Sequence, residues 1–236
     1  YVLEAVSNTS PLYKKILELL DSKPIHEIEQ VDFEEVETLP EISISGIEVI
    51  SDNRIFDLRD WGATTEGAEW RPYSYSRIRM RRKADSEESA QLGLHLATVD
   101  ENLQYRCRTP SLVPKFSRSK SNAGKYHWDV RFDMSAIALN DETIGVFETM
   151  LPRDMAEVIE NQGRFRFTIA NDTGLAQIWI LMPVGRPYEQ FQIWSHPSGQ
   201  PELSEMVVPA TTVDLPIASI ATFQLINPKS NRQYEC

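Results

Sequence analysis

Tyr126-His-Trp-Asp-Val-Arg-Phe-Asp-Met134 alternates without a break, with Tyr126, Trp128, Val130, Phe132 and Met134 on one side and His127, Asp129, Arg131 and Asp133 on the other. Period two marks a strand with one buried face. The pattern repeats on either side of this stretch. Leu92, Leu94 and Leu96 alternate with Gly93, His95 and Ala97, and after the polar Asp100-Glu-Asn102 the residues Leu103, Tyr105 and Cys107 alternate with Gln104, Arg106 and Arg108. This pair predicts a hairpin with Cys107 turned inward as a small apolar residue. Ile42 and Ile44 predict an earlier strand. Others are expected at Thr143 to Met150, Arg164 to Ala170, Leu175 to Met182, Glu189 to Trp194 and Ile220 to Ile226, with Asn171-Asp-Thr-Gly174 turning between the second and third of these.

Helical signals are few. Ser10-Pro11 supplies an N-cap and a first-turn proline, and Leu12, Ile16, Leu19 and Leu20 follow at helical spacing until Asp21 to Pro24. A short helix is also expected at Arg153 to Asn161. Between Pro24 and Asn53 there are nine acidic residues and no Lys or Arg, which reads as an acidic connector. Many short strands with one leading helix predict a mostly β chain, an antiparallel β-sandwich of immunoglobulin-like or jelly-roll-like type. Residues 1–40 are expected to form the helix and connector, as the end of a preceding domain or a cap on the next. Residues 41–236 are expected to form the sandwich, which could divide into two packed sub-sandwiches.

At 236 residues the chain can bury a core without staples. Its longest apolar run, near Ile178 to Val184, is too short to span a bilayer, so no membrane is expected among its partners. Two distant cysteines, Cys107 and Cys236, point to a reducing, cytoplasmic setting. The start at Tyr1 without Met reads as a piece of a longer protein with neighbouring domains.

Common catalytic spacings are missing: there is no G-x-S-x-G, no phosphate-binding glycine loop and no C-x-x-C. His26-Glu-Ile-Glu-Gln30 has Gln where a zinc helix needs its second His. No catalytic residue, metal site or cofactor is therefore assigned. Carboxylates such as Asp129, Asp133 and Glu148 could form a hydrolytic pair, but spacing alone cannot set their separation.

Charge placement is more informative. Half of the 24 Lys and Arg residues lie in two windows, Arg71 to Lys83 and Gln104 to Trp128, that contain no Asp or Glu, in a chain of net charge -11. In the first window Tyr73, Tyr75, Arg77, Arg79, Arg81 and Lys83 share one strand face and Ile78 and Met80 the other. If Arg106 and Arg108 join the same sheet, the guanidinium groups form an anion-binding face, with tyrosines available for stacking. The opposing expectation is that Asp129 and Asp133 neutralise those arginines across the sheet. The second window continues as Ser117-Arg-Ser-Lys-Ser-Asn-Ala-Gly124, read as a flexible basic loop. Trp194, beside Gln190 and Gln192, could form a sugar platform or cover a sheet edge.

These residues predict a non-catalytic ligand-binding or interaction module, with carbohydrate as the first ligand class. Its expected binding set is Tyr73, Tyr75, Arg77, Arg79, Arg81, Arg106, Arg108, His127, Asp129, Arg131 and Trp194. Its partner would be an anionic ligand, a glycan or an acidic protein surface. A hydrolase acting on a carbohydrate or phosphorylated substrate, with His127, Asp129 and Arg131 near the chemistry, is the second expectation. A nucleic-acid binder using both basic windows is the third, disfavoured by the net negative charge.

Overall fold

The computed structural model describes residues 11–21, 28, 46–62, 72–83, 90–98, 101–121, 124, 126–150, 166–169, 173–184, 192–197, 200–209, 211–229 and 232–235. The expected N-cap Ser10, the strand at Ile42 and Ile44, the helix at Arg153 to Asn161, and Gln190 and Phe191 lie outside these residues. Helix α1 spans Pro11–Asp21. It is followed by β1 Ile47–Asp57, β2 Tyr73–Arg82, β3 Gln91–Thr98, β4 Gln104–Cys107, β5 Pro114–Lys120, β6 Tyr126–Asp133 and β7 Glu142–Met150. The second half adds β8 Arg166–Ile169, β9 Thr173–Met182, β10 Gln192–Pro197, β11 Glu205–Pro209, β12 Thr211–Leu215, β13 Ala218–Ile226 and β14 Arg232–Glu235. The expected mostly β, sandwich-like fold behind a short helix is what the chain adopts.

A seven-stranded sheet in the order β12-β13-β9-β1-β2-β7-β4 is the central layer. One of its faces is shared by two smaller sheets. The sheet β3-β6-β5 buries Leu92, Trp128, Val130 and Phe132 against Val49, Ile78, Met80, Tyr105 and Phe147. The sheet β11-β10-β14-β8 buries Phe167, Ile169, Ile193 and Tyr234 against Ala176, Ile178, Ile180, Phe223 and Leu225. Helix α1 covers the opposite face, where Leu12, Ile16, Leu19 and Leu20 meet Ile55, Tyr73, Tyr75, Trp179 and Ile220. Strand β9 is therefore apolar on both faces, and this explains the long hydrophobic run around Ile178.

Strand β1 joins the cores by changing phase. A bulge between Val49 and Ser51 lets Val49 face Met80 toward one core while Ile55, further along, faces Tyr75 beneath the helix. One inserted residue exchanges the faces of everything after it. Where β9 passes this bulge, a Cβ on Gly174 would lie 3.0 Å from the carbonyl oxygen of Ile50, so any larger residue would have to push the bulge back by a few tenths of an ångström. Asp52 pairs in register with both Ile78 and Ala176, one from each inner core, and Arg54 donates to its carboxylate at 2.6 and 3.0 Å. A paired carboxylate thus marks the seam between the cores.

Several local expectations change. Strands β3 and β4 do not form a hairpin: β3 pairs with β6 and β4 with β7, and their apolar faces meet across the sandwich instead. Alternation specifies a buried face but not the neighbour along the sheet. Thr173 and Gly174 belong to β9, and β8 pairs with β14 in another sheet, so the second expected turn joins no hairpin. The basic loop at Ser117 is strand through Lys120, because Phe116 and Arg118 register with Val130 and Trp128. The pairing of β1 with β9 is parallel, whereas the other pairings are antiparallel. Cys107 packs inward as expected.

Gly145 faces Ile78 across the β2 and β7 pair, and a Cβ there would lie 2.5 Å from the Phe147 ring and 3.1 Å from Met80 Cε. Gly145→Val should therefore cost about 1–3 kcal/mol through overpacking, read from the urea midpoint. An unchanged midpoint would show that this core is not closed at Gly145.

Candidate functional site

The arginine face is assembled by β7, which lies between β2 and β4. Register places Tyr75 and Arg106 on either side of Glu148, and Arg77 beside Val146, whose carbonyl accepts from the Arg108 amide at 2.8 Å. Arg77, Arg79, Arg81, Arg106 and Arg108 thus share one face, as anticipated if the two strands joined one sheet. The counter-charges differ from those expected. Arg79 donates from Nε to Glu142 at 2.8 Å; Arg81 also bonds Glu142 and lies 3.4 Å from Glu48. The hydrogen bonds from Arg81 and Arg79 hold the Glu142 carboxyl below its ordinary value. Asp129 and Asp133 play no part in this face, because β6 belongs to the sheet packed on the other side of β2. Asp133 instead accepts from the Ser135 amide at 2.8 Å.

Glu148 is the centre. The residue is 3 % exposed, and its Oε1 accepts from the Tyr73 hydroxyl at 2.7 Å. Oε2 accepts from Arg108 Nε at 2.7 Å and lies 3.7 Å from Arg106 Nη1. From α1, Lys15 Nζ reaches Oε1 at 3.5 Å and sits 5.7 and 5.4 Å above the rings of Tyr73 and Tyr75. Burial disfavours the Glu148 carboxylate, but the bonds from Arg108 and Tyr73 and the charges of Arg108 and Lys15 outweigh it, leaving its pKa lowered. Burial and then the bond to Glu148 push the Tyr73 hydroxyl far above its ordinary value, so it is a permanent donor.

Tyr73 and Tyr75 are consequently corrected: both are buried beneath α1 and cannot stack on a ligand. The helix finds in them the apolar partners it needs. His127, Asp129 and Arg131 do not join the arginine face; they lie on β6, on the side of its sheet turned away from the shared core. Arg131, expected to be exposed, is 8 % exposed, on a middle strand between Gly93 and Lys115. A long side chain beside a glycine can fold its stem down on the sheet. Asp129 and Glu148 belong to different sheets and cannot be neighbours in a hydrolytic pair. Trp194 is half-buried on β10, opposite Met206 and Glu235 in the four-stranded sheet, apart from the arginines.

Glu142 and Glu148 were visible in the sequence but not as partners of the arginines. Their spacing on one strand face matches the arginine pairs only once β7 is known to run between β2 and β4. Among the described residues no group of three or more His, Cys, Asp or Glu could hold a metal ion. No described helix is long and apolar enough to cross a membrane. No protein-family model and no curated protein matches the chain. Among solved structures, one from Parabacteroides distasonis ATCC 8503, named "putative protease", aligns at a TM-score of 0.40 and 10% identity. The alignment covers 82% of this chain, which spans 40% of that one.

Because its pKa is lowered in the folded chain, Glu148 contributes stability above its ordinary value of 4.5, and that contribution is lost as pH falls through the lowered value. Glu148→Gln should therefore cost roughly 1.5–3 kcal/mol at pH 7, the range for hydrogen bonds to a charged group, with the gap from wild type closing as the pH falls below 4.5. Denaturation curves at several pH values check this; a gap independent of pH would contradict it.

Proposed function

We propose that the chain is a non-catalytic binding module that holds an acidic glycan on Arg77, Arg106 and Arg108. One observation carries this reading: register sets Arg77 opposite Val146 and Arg106 opposite Glu148 on β7, and the Arg108 amide bonds the Val146 carbonyl, so the three arginines lie on one patch. Lys15 and the carboxylates Glu148 and Glu18 border them, so among the described residues Arg77, Arg108 and Lys15 outnumber two carboxylates. Excess positive charge in a chain of net charge -11 is a local feature suited to a local anion. Arg108 has a side chain 52% exposed, and its Nε is held by Glu148, which presents the rest of the guanidinium outward.

Guanidinium forks match carboxylate and sulfate groups in a bidentate way. Recognition would rest on charge, since the buried tyrosines offer no stacking platform. Arg79 and Arg81 are already bonded to Glu142 and belong to the sheet's own charge ladder.

A glycan array with wild type, Arg77→Glu and Arg79→Glu tests this. Arg77→Glu should lose at least about tenfold in affinity for carboxylated or sulfated glycans while its melting temperature moves by no more than about 2 °C. Arg79→Glu should bind nearly as well as wild type. No binding to any acidic glycan, or equal loss in both variants, would overturn the proposal.

A further inference from the structure

A second site lies away from the arginine face, where the four-stranded sheet meets the end of β13. A cavity of about 390 Å³ opens there, with Ser195, Glu205, Val207, Leu225, Lys229 and Arg232 in its wall. Cavities of this size suit small ligands. Arg232, whose side chain is 14% exposed, is fixed in place by its neighbours. Its Nε donates to Ser195 Oγ at 3.1 Å, and Nη2 donates to the Ser195 carbonyl at 3.0 Å and to Glu205 at 2.7 Å. Those bonds use Nε and Nη2, and no described residue accepts from Nη1. An oriented guanidinium with one nitrogen unspent is a ready anion donor.

The turn that carries Lys229 is also fixed. Asn227 adopts φ 47 and donates its amide to the Gly174 carbonyl at 2.8 Å, and the Tyr234 hydroxyl reaches the Lys229 carbonyl at 3.4 Å. Arg232 and Lys229 against Glu205 leave one positive charge in excess, so a single negative charge balances the site. The remaining wall sets the aliphatic Val207, Leu225 and Ile226 beside Gln224, Asn227, Pro228 and Tyr234. Ile226, which also lines the cavity, is 78% exposed, and Val207 is 42% exposed. Exposed aliphatic side chains bordering an anchored cation call for a ligand with both characters.

We propose that this cavity binds a small monocarboxylate with an aliphatic body, its carboxylate on Arg232 Nη1 and Lys229 and its chain against Val207 and Ile226. A dianion would meet Glu205 with charge left over, and a neutral aliphatic molecule would leave Arg232 Nη1 without an acceptor.

Calorimetric titration of the full chain tests the site, using octanoate and N-acetylleucine as fatty-acid and peptide-terminus forms of the carboxylate, with acetate and 1-octanol as controls. One of the first two should bind saturably and at least about tenfold more tightly than either control. Lys229→Gln, on an exposed turn, should weaken binding several-fold, and Val207→Asp should weaken it further while the fold is retained. Arg232→Gln should abolish binding, but because it also frees Ser195 and Glu205 the two milder variants decide the matter if it fails to fold. The proposal is overturned by no saturable binding of either carboxylate below about 10 mM, by 1-octanol binding as tightly as octanoate, or by unchanged affinity in both Lys229→Gln and Val207→Asp.

Discussion

The buried carboxylate of Glu148 is the interaction on which one whole face of the central sheet depends. It lies on β7 and takes its partners from β2, from the chain just after β4, and from α1: Tyr73, Arg108 and Lys15. Burying a carboxylate is costly unless it is paired and hydrogen-bonded, and here both oxygens are engaged. The arginines in turn need it, because guanidinium groups side by side on one sheet face repel each other. The same carboxylate therefore makes the basic strands tolerable and ties the helix to the sheet beneath it. What the helix covers, Tyr73 and Tyr75, is removed from any ligand; what it leaves, Arg77, Arg106 and Arg108, defines the patch to which we assign binding.

The opposite face follows a different rule. There the seven-stranded sheet is the shared wall of two apolar cores, one under each smaller sheet, with the Asp52 and Arg54 pair at the seam. The bulge in β1 allows a single strand to contribute Val49 to an inner core and Ile55 to the helix side. Two features of the chain that look unrelated, a continuous apolar β9 and a basic β2, are thus consequences of the same layer order. Strand β9 is covered on both sides, whereas β2 is covered on its core side and, on the helix side, only at Tyr73 and Tyr75.

Much of the fold was legible in the residues alone. Trp128, Val130 and Phe132 announce a buried strand face, and Leu12, Ile16, Leu19 and Leu20 announce a helix packed on one side, because each is a local periodicity. Pairing was not legible. Strands β3 and β4 look like a hairpin but enter different sheets, since the signal of alternation is satisfied equally by packing across a sandwich. The site shared this limit. The grouping of Arg77 to Arg81 with Arg106 and Arg108 could be read, yet their carboxylates could not: Asp129 and Asp133 sit on the nearest outward strand face in sequence, whereas Glu142 and Glu148 are made neighbours by β7 running between two strands. The burial of Tyr73 and Tyr75 depended on where α1 docks, which no strand pattern encodes.

Tyr73 and Glu148 act as one buried unit, and a double-mutant cycle measures their coupling. Tyr73→Phe, Glu148→Leu and the double variant should show a coupling energy of about 0.5–3 kcal/mol in urea denaturation, because Leu alone strands the hydroxyl that Phe removes. Additivity within about 0.3–0.5 kcal/mol would show that the two side chains act independently.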